Sequence, residues 1–196
     1  PVSQFIKETE RRFLKMCINN DYTLVFISSG MKLKIRDYFN DDCSNVFVIP
    51  NCYRKNEFVP NNISDSSIKR LICVGSLYPL KNQIQVIRVL PEIQKRFSNE
   101  WTIYLDIYGD GESLVEWQQY AEENHIDRVL FHGRKPQKEI FTAISNADLL
   151  VFPSIEEGFG IPIIEAYSCG IPVVTFNDLD AALDIFDKDC CIFAAE

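Results

Sequence analysis

The sequence predicts an α/β fold built on a parallel sheet, and three observations carry that expectation. Short apolar runs alternate with longer segments of helical periodicity almost from end to end of the 196 residues, the signature of repeated strand-and-helix units. Most of the runs are apolar at consecutive positions, as strands buried on both faces must be. A content of 46% apolar, 12% aromatic and 24% charged residues, with 8 Gly and 9 Pro, is that of an ordinary globular chain with enough residues for one core and an appendage.

Taken in order, a helical pattern at 3–20 leads into the strand YTLVFI (22–27), and a second helix at 28–39 leads into VFVIP (46–50). The composition then changes once. At 51–69, NCYRKNEFVPNNISDSSIK replaces the periodic pattern with polar and turn-forming residues and reads as a linker. Beyond it come the strands RLICVG (70–75), WTIYLDIYG (101–109), RVLFHG (128–133), DLLVFP (148–153), IPVVTF (171–176) and CCIFA (190–194). Helical stretches at 80–97, 113–125, 136–146, 161–169 and 178–187 lie between them. In the first of these, Ile84, Ile87, Leu90, Ile93 and Phe97 recur every three or four residues, one apolar face of a helix that Pro91 should kink or split. The expected organisation is a helix-strand-helix remnant with its following strand at 1–50, a linker at 51–69 and a larger strand-helix domain at 70–196.

Twenty basic against 28 acidic residues, a net charge of -8, argue against nucleic acid as a partner, because phosphate-backbone binding needs an excess of Lys and Arg. The 7 Cys form no Cys-x-x-Cys pair and there are only 2 His, so neither a zinc cluster nor a disulfide framework is expected, and reduced thiols in a cytoplasmic compartment are the simpler reading. The apolar runs are of strand length, short of a bilayer span. The chain opens at Pro1 with neither a signal-peptide nor a transit-peptide layout, and that start reads as a cut rather than a natural beginning.

In open parallel sheets ligands bind beyond the carboxyl ends of the strands, so the loops leaving those ends are where chemistry is sought. In VGSLYPLKN (74–82), Gly75 ends a strand and Lys81 stands near the next helix, where it could reach an anion held by the helix N-terminus. Alone it reads first as an exposed Lys on a first turn. IYGDGES (107–113) carries Gly109 in a Gly-Asp-Gly turn, but no third Gly follows, so it is not the dinucleotide fingerprint. The most informative stretch is SIEEGFGIPIIEAYSCGIPVV (154–174). Gly158 and Gly160 bracket Phe159 before a helix whose Pro162 suits a first turn, a bare loop at a helix's positive end that suits a diphosphate. Glu157 and Glu165 flank it. Carboxylates there would repel phosphate, so they make sense as acceptors for neighbouring hydroxyls of a sugar and a ribose.

The segment 154–174 closely resembles the signature of the family 4 glycosyltransferases, the glycosyl transferases group 1, which are retaining enzymes of the two-domain GT-B fold. A Glu, seven residues and a second Glu frame a Gly-Phe-Gly-x-Pro loop, followed by Cys-Gly and Pro-Val-Val. VGSLYPLKN, IYGDGES, VLFHG and DLLVFPSIEEGFG resemble the family's other loops in order, and VIPNC with EFVP resembles its interdomain linker. Ser76 stands where the family usually has an Arg, and Cys52 where the linker usually has Gly. The resemblance implies a Rossmann-like parallel sheet with helices on both faces, the nucleotide-sugar-binding C-terminal domain truncated at its own C-terminus, plus a remnant of the acceptor domain. It implies that Lys81 neutralises the donor diphosphate, more nearly alone given Ser76. The N-H groups of Phe159, Gly160 and Ile161 would cradle phosphates and sugar, Glu157 would hold sugar hydroxyls and Glu165 the ribose. The base, of a UDP- or GDP-linked sugar, would lie at Arg134 and Lys135 after Gly133. Glu157 and Lys81 are thus the expected catalytic residues, with no metal and no cofactor. The acceptor, a carbohydrate or lipid-linked hydroxyl, would meet the other domain, a site compatible with peripheral membrane contact, and the fragment alone is expected to be inactive. A nucleotide-sugar 2-epimerase of the same fold and a noncatalytic nucleotide-sugar-binding subunit are the competing readings.

Elsewhere the expectations are structural. His125 and His132, seven apart across a helix-to-strand junction, have no acidic partner in view, and His132 is placed at a strand end near the cleft. Trp101 and Trp117 read as packing aromatics, Cys169 as a buried small residue, Cys190 and Cys191 as opposite faces of a strand, and the acidic residues at 178–189 as a solvated helix face.

Overall fold

The computed structural model describes residues 2–40, 44–51, 67–176, 182–185 and 191–194. Two parallel sheets form. In the smaller, helix α1 (Val2–Asn19) precedes β1 (Leu24–Phe26), and α2 (Ser29–Phe39) crosses over to β2 (Val46–Val48), which pairs with β1. Ser28 starts α2 by accepting a hydrogen bond from the Met31 N–H at 3.3 Å, and Asn40, in the left-handed region, ends it.

The larger unit runs β3 (Ile68–Val74), a 3-10 turn (Pro79–Lys81), α3 (Gln83–Arg96), β4 (Thr102–Tyr108), α4 (Leu114–Glu123), β5 (Val129–Gly133) and α5 (Gln137–Ser145). It continues with β6 (Leu149–Phe152), α6 (Ile161–Ser168), β7 (Val173–Phe176), α7 (Ala182–Ile185) and β8 (Cys191–Ala194). All six strands are parallel, in the order β5-β4-β3-β6-β7-β8. The chain winds outward from β3 in one direction and from β6 in the other, so the order reverses between these two central strands. On one face α3 and α4 enclose Ile87, Leu90, Leu105 and Trp117. On the other, α5 and α6 enclose Ile72, Ile144, Leu150, Ile163 and Val173. Cys73 sits in the core under α3 and α4, where burial pushes its thiol up to about 12, so it behaves as a packed apolar group.

Pro91 does not split its helix. Residues 83–96 form one helix with Pro91 inside it. The residue removes one helical hydrogen bond, at roughly 3 kcal/mol. Ile87 and Leu90, fully buried before it, and Ile93 and Phe97, packed on the same core after it, hold both halves to the sheet. The linker expected at 51–69 ends inside β3, which begins at Ile68. Residues 52–66, with Cys52 and EFVP, lie outside the described residues, as do Cys190 and most of the acidic stretch at 178–189. Its described part is not simply a solvated face: Asp184 accepts bonds from the N–H and the hydroxyl of Ser29, both at 2.6 Å, across the first turn of α2. That contact joins the small sheet's helix to the larger unit. Trp117 is buried as expected, whereas Trp101 is 39% exposed and stacks on Phe97.

Candidate functional site

The switch in strand order opens a crevice at the carboxyl ends of β3 and β6, because the chain leaves β3 toward one face of the sheet and β6 toward the other. A cavity of about 270 Å³ occupies it, lined by Gly75, Ser76, Lys81, Glu157, Phe159 and Gly160. Ile161 and the buried Gln83 complete its walls, and Ile27, at the end of β1, reaches it from the smaller unit. Gly75 and Ser76 also line a second hollow of about 650 Å³, with Tyr108, Gly109, Arg134 and Lys135. The two hollows share the Gly75–Ser76 turn as a common wall. Backbone bonds stitch the strand ends that form them: the Gly75 N–H donates to the Tyr108 carbonyl, and the Gly109 N–H to the Gly133 carbonyl, both at 3.0 Å.

Local sequence explains the shape of the first cavity. Gly160, at φ +81°, turns the chain into α6 with Pro162 in the first turn and no side-chain cap; the Ile163 N–H bonds back to the Gly160 carbonyl at 3.0 Å, and just before the turn the Phe159 N–H donates to Glu157 Oε1 at 3.5 Å. The 3-10 turn at Pro79–Lys81 brings Lys81 back over the end of β3. Lys81 Nζ donates to Glu157 Oε2, an ion pair bridging the loops that follow β3 and β6. Its side chains are 27% and 18% exposed. The expected catalytic pair is therefore found together, each neutralising the other.

Of the other residues named from the sequence, Gly133 supports the second hollow without lining it, and Glu165 lines neither. Glu165 is buried on α6, where Gln137 Nε2 of α5 donates to its Oε1 at 3.4 Å. Burial raises its carboxyl above the ordinary glutamate value, the Gln137 bond opposing this. A carboxyl whose folded pKa is raised lends stability that is fully present below its unfolded pKa and is lost as pH rises through the folded value. Glu165→Gln is accordingly expected to raise Tm by a few degrees at pH 7 and to change nothing near pH 4. Thermal melts at the two pH values check this; an equal shift at both would remove the ionised carboxylate as the cause.

His132 does have an acidic partner. Its Nε2 lies 2.6 Å from Asp106 Oδ1, while Arg70 Nη1 donates to Asp106 Oδ2 at 2.7 Å. The partner is 26 residues upstream, on the neighbouring strand, which local spacing does not show. Tyr108 stacks on the His132 ring at 4.2 Å, and its hydroxyl is pushed up by burial first and by the Asp106 carboxylate second. This cluster lines a separate hollow on the α5 face of the sheet.

A doubly wound sheet whose switch-point cavity sets a lysine beside a helix N-terminus without a side-chain cap is the arrangement that open parallel sheets offer to anionic ligands. The pattern of one family, described as Glycosyl transferases group 1, matches residues 54–190, and the chain belongs to that family. It is 26% identical over 195 residues to the GPI3 subunit of phosphatidylinositol N-acetylglucosaminyltransferase from Saccharomyces cerevisiae, covering 94% of this chain and 42% of that protein. It is 29% identical over 172 residues to the O-antigen chain mannosyltransferase RfbU of Salmonella typhimurium, covering 87% and 46%. The chain thus spans less than half the length of these relatives. Among solved structures it resembles Staphylococcus aureus TarM, with a TM-score of 0.78 at 21% identity over 94% of this chain and 36% of that one. It also resembles WaaG, a glycosyltransferase involved in lipopolysaccharide biosynthesis, with a TM-score of 0.73 at 19% identity over 89% and 50%. The fold is that of a GT-B glycosyltransferase domain.

Proposed function

We propose that this chain is the donor-binding half of a retaining glycosyltransferase, which moves a sugar from a nucleoside diphosphate to a hydroxyl acceptor. The observation that carries the reading is the Lys81–Glu157 pair spanning the switch-point cavity at the start of α6, which has no side-chain cap. As the bond at the anomeric carbon breaks, the sugar gains oxocarbenium character and negative charge collects on the leaving diphosphate. Lys81 and the N–H groups of Phe159, Gly160 and Ile161 are fixed positive ends for that charge. Glu157, released from Lys81, accepts hydrogen bonds from sugar hydroxyls. The nucleoside extends past the Gly75–Ser76 wall into the second hollow, toward Gly109, Arg134 and Lys135. These steps use the chain's own groups without a metal. A cytoplasmic location belongs to the same reading, supported by Cys17, Cys73 and Cys169, which are unpaired and buried.

Calorimetry with UDP, GDP, UDP-N-acetylglucosamine and GDP-mannose tests the donor site. Binding of at least one nucleotide and its sugar is expected, and a folded sample that binds none of them overturns the assignment. The 196-residue chain alone is expected to show no transfer to any acceptor, so measurable turnover would refute the half-enzyme reading.

A further inference from the structure

Gln83 is the first residue of α3 and is 3% exposed, at the wall of the switch-point cavity. Its Nε2 donates to the Ser76 carbonyl at 3.2 Å. A carbonyl only accepts, so this bond fixes which end of the amide is nitrogen. The other end, Oε1, is buried with no hydrogen-bond partner among the described residues. Buried amide oxygens are nearly always paired, and an apolar side chain of the same shape would remove the unmet acceptor altogether. The bond to Ser76 would be lost with it, but Ser76 is exposed and its carbonyl can turn to water, so stability alone does not favour Gln at this position. What Gln supplies, and an apolar residue cannot, is the clamp on Ser76, whose turn is the common wall of the two hollows.

We propose that Gln83 is a positioning residue for the donor diphosphate: its amide pins the Gly75–Ser76 turn to the start of α3 and so sets the spacing between the two hollows. This rests on the donor-site reading above. The turn is otherwise held by the Gly75 N–H on Tyr108 and the Leu77 N–H on Asp110, which leaves the Ser76 carbonyl between them to Gln83. Ser76 offers only a short hydroxyl in its own right, so the position of its backbone is what the ligand meets.

The test pairs a stability measurement with a binding measurement on the 196-residue chain and two variants. Gln83→Met removes the clamp and the unmet acceptor. Gln83→Asn keeps an uncharged amide but is one methylene too short to hold the Ser76 carbonyl. Both are expected to weaken UDP and UDP-N-acetylglucosamine, or GDP and GDP-mannose, about tenfold, as misplacement of a binding group does. The Tm of Gln83→Met is expected to equal or exceed that of the unaltered chain. Weaker binding with an undiminished Tm supports positioning. A Kd within twofold of the original overturns it, and so does a Tm that falls along with affinity, since a structural role predicts that pattern. If the unaltered chain binds no nucleotide, the donor-site reading fails first and this inference with it, a result distinct from either of the others.

Discussion

Gly109→Ala is expected to be the most damaging single substitution in the larger unit, lowering stability by about 4 kcal/mol or more. A Cβ added at Gly109 would stand 1.8 Å from the Gly75 carbonyl oxygen and 2.8 Å from its carbon, and the backbone there sits at φ +145°. Both obstacles are main chain, so no side chain can rotate away. The strand ends would have to part, breaking the bonds from Gly75 to Tyr108 and from Gly109 to Gly133 that hold the second hollow together. Gly133→Ala is the control. It too has positive φ, at +69°, but an added Cβ meets nothing within 4 Å, so only the backbone strain of about 1 kcal/mol applies. For a chain of this length the first change should lower Tm by roughly 10 °C or more and the second by roughly 3 °C. Equal shifts would mean that the close approach of β3 and β4 at their ends is not the source of the effect.

The strands of that sheet were legible because a strand buried on both faces cannot avoid a run of apolar residues. Each of the expected runs holds a strand, shorter or shifted by one to three residues, since apolar flanks such as Trp101 and Pro153 pack without joining the ladder. The loop at 154–174 was legible for a different reason: glycines, Pro162 and two carboxylates at fixed spacing are each demanded by backbone geometry or ligand charge. What local spacing could not show are the pairings across strands. Asp106, His132 and Arg70 meet only because β4 lies between β3 and β5, and the polar residues on one face of otherwise apolar strands were the sole sign of them. The 3-10 turn is likewise indistinguishable in the sequence from the start of the helix expected at 80–97. Asn82, at φ +57°, separates Pro79–Lys81 from α3, and a non-glycine residue in the left-handed region leaves little trace in composition. Gln83 leaves no signal in the sequence, because a polar residue on a helix's first turn is ordinarily solvated. Its burial follows from the β3 loop folding back over it, a tertiary fact.

The Lys81–Glu157 pair leads to a second strong expectation, in which two substitutions on the same bridge act with opposite sign. A diphosphate can use Lys81 only by drawing it from Glu157, and the Glu157 carboxylate repels the incoming phosphates. Glu157→Gln removes both obstacles while keeping the shape, so UDP or GDP without a sugar is expected to bind several-fold more tightly. The nucleotide sugar should not share this gain, because on the proposed reading its hydroxyls lose the charged acceptor that Glu157 supplies. Lys81→Met acts the other way. It leaves a largely buried carboxylate unpaired and facing the phosphates, and both ligands should weaken on the order of a hundredfold. The double variant separates the two causes. If repulsion from the stranded Glu157 accounts for part of the loss, adding Glu157→Gln to Lys81→Met restores part of the affinity for the diphosphate, and the double-mutant cycle shows a coupling well above the 0.5 kcal/mol or so seen between independent sites. Calorimetry of the four proteins with the nucleotide and its sugar provides the numbers. Additive losses, or a Glu157→Gln that weakens the bare nucleotide, would show that the pair is a structural brace and that the phosphates bind elsewhere in the crevice.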